Sequence, residues 1–125
     1  MIPASPSGKH WIVEFYGARA LDDAKVIRRA LKNAAEVSGA TLLRLQLHHF
    51  GVGGGVTGVA LLAESHISIH TWPEREYAAI DIFMCGRKCS PRKALESLRL
   101  ELKPIRSTVR RLSRRMPRVG AQGYR

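Results

Sequence analysis

Residues 59–83, VALLAESHISIHTWPEREYAAIDIF, carry three strand signals in close succession. Val59-Ala60-Leu61-Leu62-Ala63 closes a strand that starts near Val56, a second runs from Ser65 to Thr71, and Tyr77 to Met84 makes a third after Trp72-Pro73 breaks the pattern. The middle of this stretch is unusual. Glu64 through Glu74 places a hydroxyl nucleophile, two imidazoles and two carboxylates in a segment that otherwise reads as a buried strand. Buried polar groups cost free energy unless each finds a partner, so a strand core has no use for this many. Chemistry is the better explanation.

Working outward, His10 to Tyr16 has the β-branched and aromatic content of a strand, closed by Gly17. Asp22 and Asp23 can cap a helix whose apolar positions Ile27, Ala30, Leu31, Ala34 and Val37 follow helical spacing, and Gly39 ends it. Leu43, Leu45, Leu47 and His49 alternate with Arg44, Gln46 and His48, which is strand periodicity, and Gly51 to Gly55 is a flexible loop. Ser90-Pro91 supplies an N-cap and a proline at the first helical position of a second helix, with Ala94, Leu95, Leu98 and Leu102 inward. Pro104 stops that helix, and Ser107 to Leu112 can form a last strand. Strands with two interspersed helices predict an α+β two-layer sandwich, with a largely antiparallel sheet and both helices on one face. Its other face then needs a cover.

A chain of 125 residues makes one domain, taken here as residues 9–113, with a flexible arm at 1–8 and a basic tail at 114–125. No apolar run reaches the length of a bilayer span, and the N-terminus has neither the basic nor the apolar region of a secretory signal. Cys85 and Cys89 do not make a disulfide framework, and a free functional thiol suits the cytoplasm. The net charge of +11 is uneven: after Glu101 there is no acid, while Lys103, Arg106, Arg110, Arg111, Arg114, Arg115, Arg118 and Arg125 follow. Such a tail could meet phosphates, but no aromatic RNA-binding pattern, zinc-knuckle spacing or GXXG loop accompanies it. A solvated basic strand is the better reading, which leaves a nucleic-acid module as a remote alternative.

Serine offers a particular chemistry. Its hydroxyl can attack the preceding carbonyl and convert the peptide bond to an ester. Loss of the α-proton then expels the carboxylate by β-elimination, and the dehydroalanine left behind tautomerises and hydrolyses to a pyruvoyl group. Only a residue with a β-heteroatom leaving group can do this. Histidine titrates near neutrality and suits the proton abstraction. His66 and His70, four apart, could also face one side of a strand and bind a metal, but no third ligand has convincing spacing and HExxH is absent, so no metal is assigned. His48 and His49 read as sheet or interface residues. Taken alone, Phe50 would be core and each cysteine a small buried hydrophobe.

ESHISIHTWPE, with YAAIDIF-CG downstream and HHF-GVTGV upstream, closely resembles the small prokaryotic S-adenosylmethionine decarboxylases, which carry a pyruvoyl group. The similarity runs from about Gly8 to Gly86, and eleven consecutive residues of this composition are far more specific than a spaced pattern. The resemblance implies self-cleavage between Glu64 and Ser65 into β and α chains, with Ser65 becoming the pyruvoyl group that forms a Schiff base with substrate and acts as electron sink. It also implies that His70 serves processing, that Thr57 assists the acyl shift and that Cys85 donates the proton that quenches the carbanion. Glu74 would bind the ribose hydroxyls, Phe50 would stack on adenine, Trp72 would line the site, and Glu14 stands where an acidic residue is usual. Two protomers would stack sheet against sheet in a four-layer αββα homodimer, with S-adenosylmethionine as substrate and spermidine synthesis as destination. The chain departs from the pattern at the Gly51–Gly55 loop, at Ala18-Arg19 and at Met84. A pyruvoyl-dependent arginine or ornithine decarboxylase of the same fold is therefore the alternative.

Overall fold

A computed structural model describes residues 7–117. The chain runs through β1 (Ser7–Tyr16), α1 (Ala24–Val37), β2 (Leu42–His49), β3 (Val56–Leu62), β4 (Ser65–Trp72), a 3-10 turn (Pro73–Arg75), β5 (Tyr77–Cys85), α2 (Pro91–Leu102) and β6 (Arg106–Arg115). The strands form a single six-stranded sheet in the order β2-β3-β4-β5-β1-β6, with every neighbouring pair antiparallel. This is the expected α+β architecture, and β3, β4 and β5 form its central meander.

Period-two alternation sorts each strand between two environments. Val13 and Phe15 of β1, Ile67 and Ile69 of β4, and Ile80 and Ile82 of β5 are fully buried. They meet Ile27, Leu31 and Ala34 of α1 and Leu98 and Leu102 of α2. The helices pack on each other as well as on this face, so both lie on the same side of the sheet. Asp23 caps α1, its carboxylate accepting from the Lys25 and Val26 amides at 3.0 and 3.2 Å. The Ser90 hydroxyl accepts from the Lys93 amide at 3.2 Å and caps α2. Glu101 ties the helices together, accepting from Arg29 at 3.1 Å and Asn33 at 2.8 Å. The Arg29 contact first, and Asn33 with it, holds the Glu101 carboxyl below its ordinary range.

Details differ from the sequence expectation. Ala35 takes a buried position in α1, and Val37, the last residue of the helix, is half exposed at the margin of the buried stripe. A bulge between Leu42 and Arg44 turns Leu43 outward and leaves Leu42, Leu45 and Leu47 against the core. β1 and β6 are longer than propensity indicated, because Ser7 pairs with Arg115 and carries the β1–β6 ladder past both expected ends. Residues 7 and 8 of the expected arm and 114 and 115 of the expected tail are thus strand. The rest of the arm and residues 118–125 lie outside the described residues.

Gly55, where the chain enters β3, lies so close to β4 that a Cβ would collide with the Thr71 carbonyl oxygen. The obstacle is backbone and cannot rotate away. Gly55→Ala should therefore destabilise the fold by about 1–3 kcal/mol in urea unfolding, and an unchanged midpoint would show that the β3–β4 approach is loose.

Candidate functional site

Strand β4 carries most of the chemistry, and its pleat divides it. Ile67, Ile69 and Thr71 point into the core, while His66, Ser68, His70 and Trp72 lie on the face away from the helices. Among the described residues no helix or second sheet covers that face.

At the Trp72 end, β3 and β4 set Thr57 directly opposite His70, and Thr57 Oγ1 lies 3.0 Å from His70 Nδ1. Around this pair Phe50, Gly55, Thr57, His70, Thr71, Trp72 and Glu74 line a pocket of about 400 Å³. Five of the residues singled out from sequence meet here. Phe50 is exposed rather than core and stands edge-on to His48 at 4.5 Å. The pocket floor is firm: the buried Thr71 hydroxyl accepts from the Val56 amide at 2.8 Å and donates to the Leu21 carbonyl at 2.6 Å. The Trp72 ring stacks on Tyr77 at 5.4 Å, Tyr77 on Tyr16 at 5.5 Å, and the Arg106 guanidinium covers Tyr16 at 4.3 Å. The Tyr77 hydroxyl donates to Glu14 at 2.7 Å, which gives Glu14 a structural partner. That bond, aided by burial, pushes the Tyr77 phenol up to about 12.

At the other end lies the Glu64–Ser65 peptide, in the tight turn between β3 and β4. Ser65 has φ of +146°, in a region that residues with a side chain avoid. The Glu64 carbonyl accepts from the Cys85 amide at 3.0 Å. The Glu64 side chain is clamped as well, accepting from the Thr41 amide at 2.9 Å and the Thr41 hydroxyl at 3.1 Å, with the Lys88 ammonium 3.5 Å away. The Thr41 amide bond is the chief cause that lowers the Glu64 carboxyl below its ordinary value. Cys85 is partly exposed near the same turn, while Cys89 is buried in the core and its thiol is pushed up by that burial.

One expected approach is not made within a single chain. The processing role implied for His70 calls for its imidazole near Ser65, but five residues of extended strand separate them by about 16 Å. Their positions also alternate to opposite faces of the sheet: Ser65 is in register with Leu62 and Met84, which face the helices, and His70 with Thr57 and Ala79. An extended strand cannot fold back on itself over five residues. The imidazole beside Ser65 is instead that of His66, whose Nδ1 is 3.1 Å from Ser65 Oγ. The Thr41 and Lys88 contacts lie far from Glu64 in sequence and carry no local signal. The His66 contact was within reach of the motif, hidden because spacing alone favours neither histidine. Among the described residues no three His, Cys, Asp or Glu side chains gather as a metal site would need.

The profile of the S-adenosylmethionine decarboxylase family matches residues 9–115, nearly all of the described chain. The chain belongs to the S-adenosylmethionine decarboxylase family. Among its relatives in that family, the S-adenosylmethionine decarboxylase proenzyme of Synechococcus sp. (strain WH7803) is 50% identical over 117 residues, 92% of this chain and 91% of its own. The proenzyme of the same description from Methanococcus maripaludis (strain DSM 14266) is 47% identical over 109 residues, 86% of this chain and 88% of its own. The crystal structure of the adenosylmethionine decarboxylase from Aquifex aeolicus VF5 superposes with a TM-score of 0.81 at 32% identity, covering 95% of this chain and 99% of that one. The fold of that family is therefore matched.

The Glu64 clamp makes a pH-dependent contribution. Its folded-state value lies below the unfolded one, so the clamp stabilises above the carboxylate range and is lost as pH falls through the lowered value. Glu64→Gln should therefore lower the thermal midpoint at pH 7. The difference should shrink as pH falls through the lowered Glu64 value and vanish once the carboxyl is protonated in both states. Superimposable curves at pH 7 would show that the clamp does not hold this turn.

Proposed function

We propose that this chain is a self-processing, pyruvoyl-dependent decarboxylase of S-adenosylmethionine that works as a homodimer. The observation that carries this reading is the Glu64–Ser65 peptide itself: a serine in strained backbone whose preceding carbonyl already accepts a hydrogen bond, in a chain of this family. Backbone strain of this kind costs about 1–3 kcal/mol and is kept where it serves a mechanism. The attack of Ser65 Oγ on the Glu64 carbonyl carbon relieves that strain, and the Cys85 amide is placed to stabilise the oxygen on which charge develops. Once formed, the pyruvoyl group would supply an electron sink for decarboxylation.

Substrate binding falls to the pocket. Phe50 and Trp72 offer aromatic faces for a purine, the Tyr77–Tyr16–Arg106 stack behind Trp72 fixes its ring, and Glu74 offers paired acceptors for ribose hydroxyls. A volume of about 400 Å³ is within the range of small-molecule sites. Cys85, on the other side of the turn from Ser65, is the group we assign to proton return after carbon dioxide leaves. The product would be decarboxylated S-adenosylmethionine, an aminopropyl donor for spermidine synthesis. The relatives named above favour this substrate over arginine or ornithine. We place the work in the cytoplasm, whose reducing conditions keep the Cys85 thiol free.

Dimerisation follows from how the site is divided. Phe50, Thr57, His70, Trp72 and Glu74 gather at one end of β4, and Glu64, Ser65 and Cys85 at the other. Two copies stacked open face to open face with their β4 strands antiparallel would set the Ser65 end of each over the His70 end of its partner. Thr57, hydrogen-bonded to His70, would then orient that imidazole for the α-proton of the partner's serine. The same stacking supplies the missing sheet cover and yields the four-layer αββα arrangement.

Co-expression separates a shared site from a self-contained one. Ser65→Ala cannot be cleaved, and His70→Ala lacks the processing base. Mass spectrometry of the co-expressed pair should show His70→Ala chains cleaved after Glu64, because each borrows His70 from a Ser65→Ala partner. No cleavage in mixed dimers would overturn the shared site. Wild-type protein should release carbon dioxide from S-adenosylmethionine and not from arginine or ornithine, and the reverse preference would overturn the substrate assignment.

A further inference from the structure

We propose that His66 is the catalytic residue that takes the proton from the Ser65 hydroxyl in the first step of self-processing, leaving His70 the later α-proton step. The proposal rests on the self-cleavage reading above and assigns a residue that reading leaves idle. Four observations converge on it. His66 Nδ1 lies 3.1 Å from Ser65 Oγ, hydrogen-bonding distance, so in the Nε2–H tautomer the hydroxyl donates directly to it. The ring is held in place: it stands edge-on to Phe83, with centroids 5.9 Å apart and planes at 86°. Phe83 is itself fixed by His10, stacked at 5.2 Å, and by Arg114 at 5.3 Å. Finally, the electrophile is pinned beside the same serine, through the Cys85 amide on the Glu64 carbonyl and the Thr41 and Lys88 contacts of the Glu64 side chain.

A serine hydroxyl is a weak nucleophile until an adjacent base shares its proton. His66 meets that need inside one chain, before any partner is required. As the bond from Ser65 Oγ to the Glu64 carbonyl carbon forms, the hydroxyl proton moves to His66 Nδ1 and the carbonyl electron pair moves onto oxygen, facing the Cys85 amide. When that pair returns, the bond from the Glu64 carbonyl carbon to the Ser65 nitrogen breaks, and the nitrogen takes the proton back from the imidazolium. An amide has become an ester and a free amine. No proton, electron or outside reagent is consumed, and His66 ends as it began.

The test uses the full chain. Purified wild type, His66→Ala and His66→Asn are followed by intact mass over time, with hydroxylamine to cleave any ester, and thermal unfolding confirms that each variant is folded. Asparagine keeps a hydrogen-bond acceptor near Ser65 but cannot carry a proton. Both variants are expected to stay as amide precursor, slowed about 100-fold or more as for loss of a general base, with no hydroxylamine-sensitive ester. Added imidazole is expected to restore cleavage to His66→Ala. Cleavage of either variant at the wild-type rate, or an ester accumulating in His66→Ala, would overturn the assignment. So would rescue by asparagine in place of imidazole, which would reduce the ring to a positioning group. A wild-type chain that never cleaves would instead overturn the self-cleavage reading, and this proposal with it.

Discussion

The antiparallel pairing of β3, β4 and β5 is the constraint on which the rest depends. It sets the register in which Thr57 meets His70 and Ser65 meets Met84, and through the pleat it decides which side chains reach the core. Ile67 and Ile69 must lie under the helices to be buried, so His66, Ser68, His70 and Trp72 must lie on the other face. A slip of one residue would bury the imidazoles and expose the isoleucines. Burial of a single isoleucine is worth about 1.5–3 kcal/mol, so the hydrophobic core holds the chemical residues in register without touching them.

The turn between β3 and β4 concentrates the strain of the molecule. Ladder bonds on both sides and the Glu64 clamp hold Ser65 at a φ that it would not adopt in a free chain. The pairing of the two strands thus maintains an unusual backbone conformation at Ser65.

The open face is organised by contacts within the chain itself. Asp81 accepts from the Ser68 hydroxyl at 3.3 Å and lies 3.0 Å from His10 Nε2, so the polar groups in its middle have partners within the chain. Toward the pocket end the Trp72, Tyr77 and Tyr16 rings form a stacked row ended by Arg106. Arginines of β6 thereby turn inward onto aromatic rings, Arg106 on Tyr16 and Arg114 on Phe83, as well as outward to water. A cationic edge strand also discourages edge-to-edge pairing with another copy, since like charges would face each other along the ladder.

Much of this was legible in the sequence because it depends on local or periodic properties. Asp23 and Ser90 announced the helix starts by their capping chemistry, Leu95, Leu98 and Leu102 the buried stripe of α2, and ESHISIHTWPE the family. Positions governed by irregular geometry were not: the bulge that turns Leu43 outward, the exposed Phe50, and the last residues of β1 and β6, which exist as strand because they pair with each other. The site divides in the same way. Sequence determined which residue types are present, Ser65 with its β-hydroxyl and two imidazoles in the same strand, and so the class of reaction. Only the tertiary structure decided which imidazole meets the serine. Spacing along a chain does not measure distance in space: the extended geometry of β4 carries His70 to Thr57 and the pocket, and leaves His66 in hydrogen-bonding contact with Ser65.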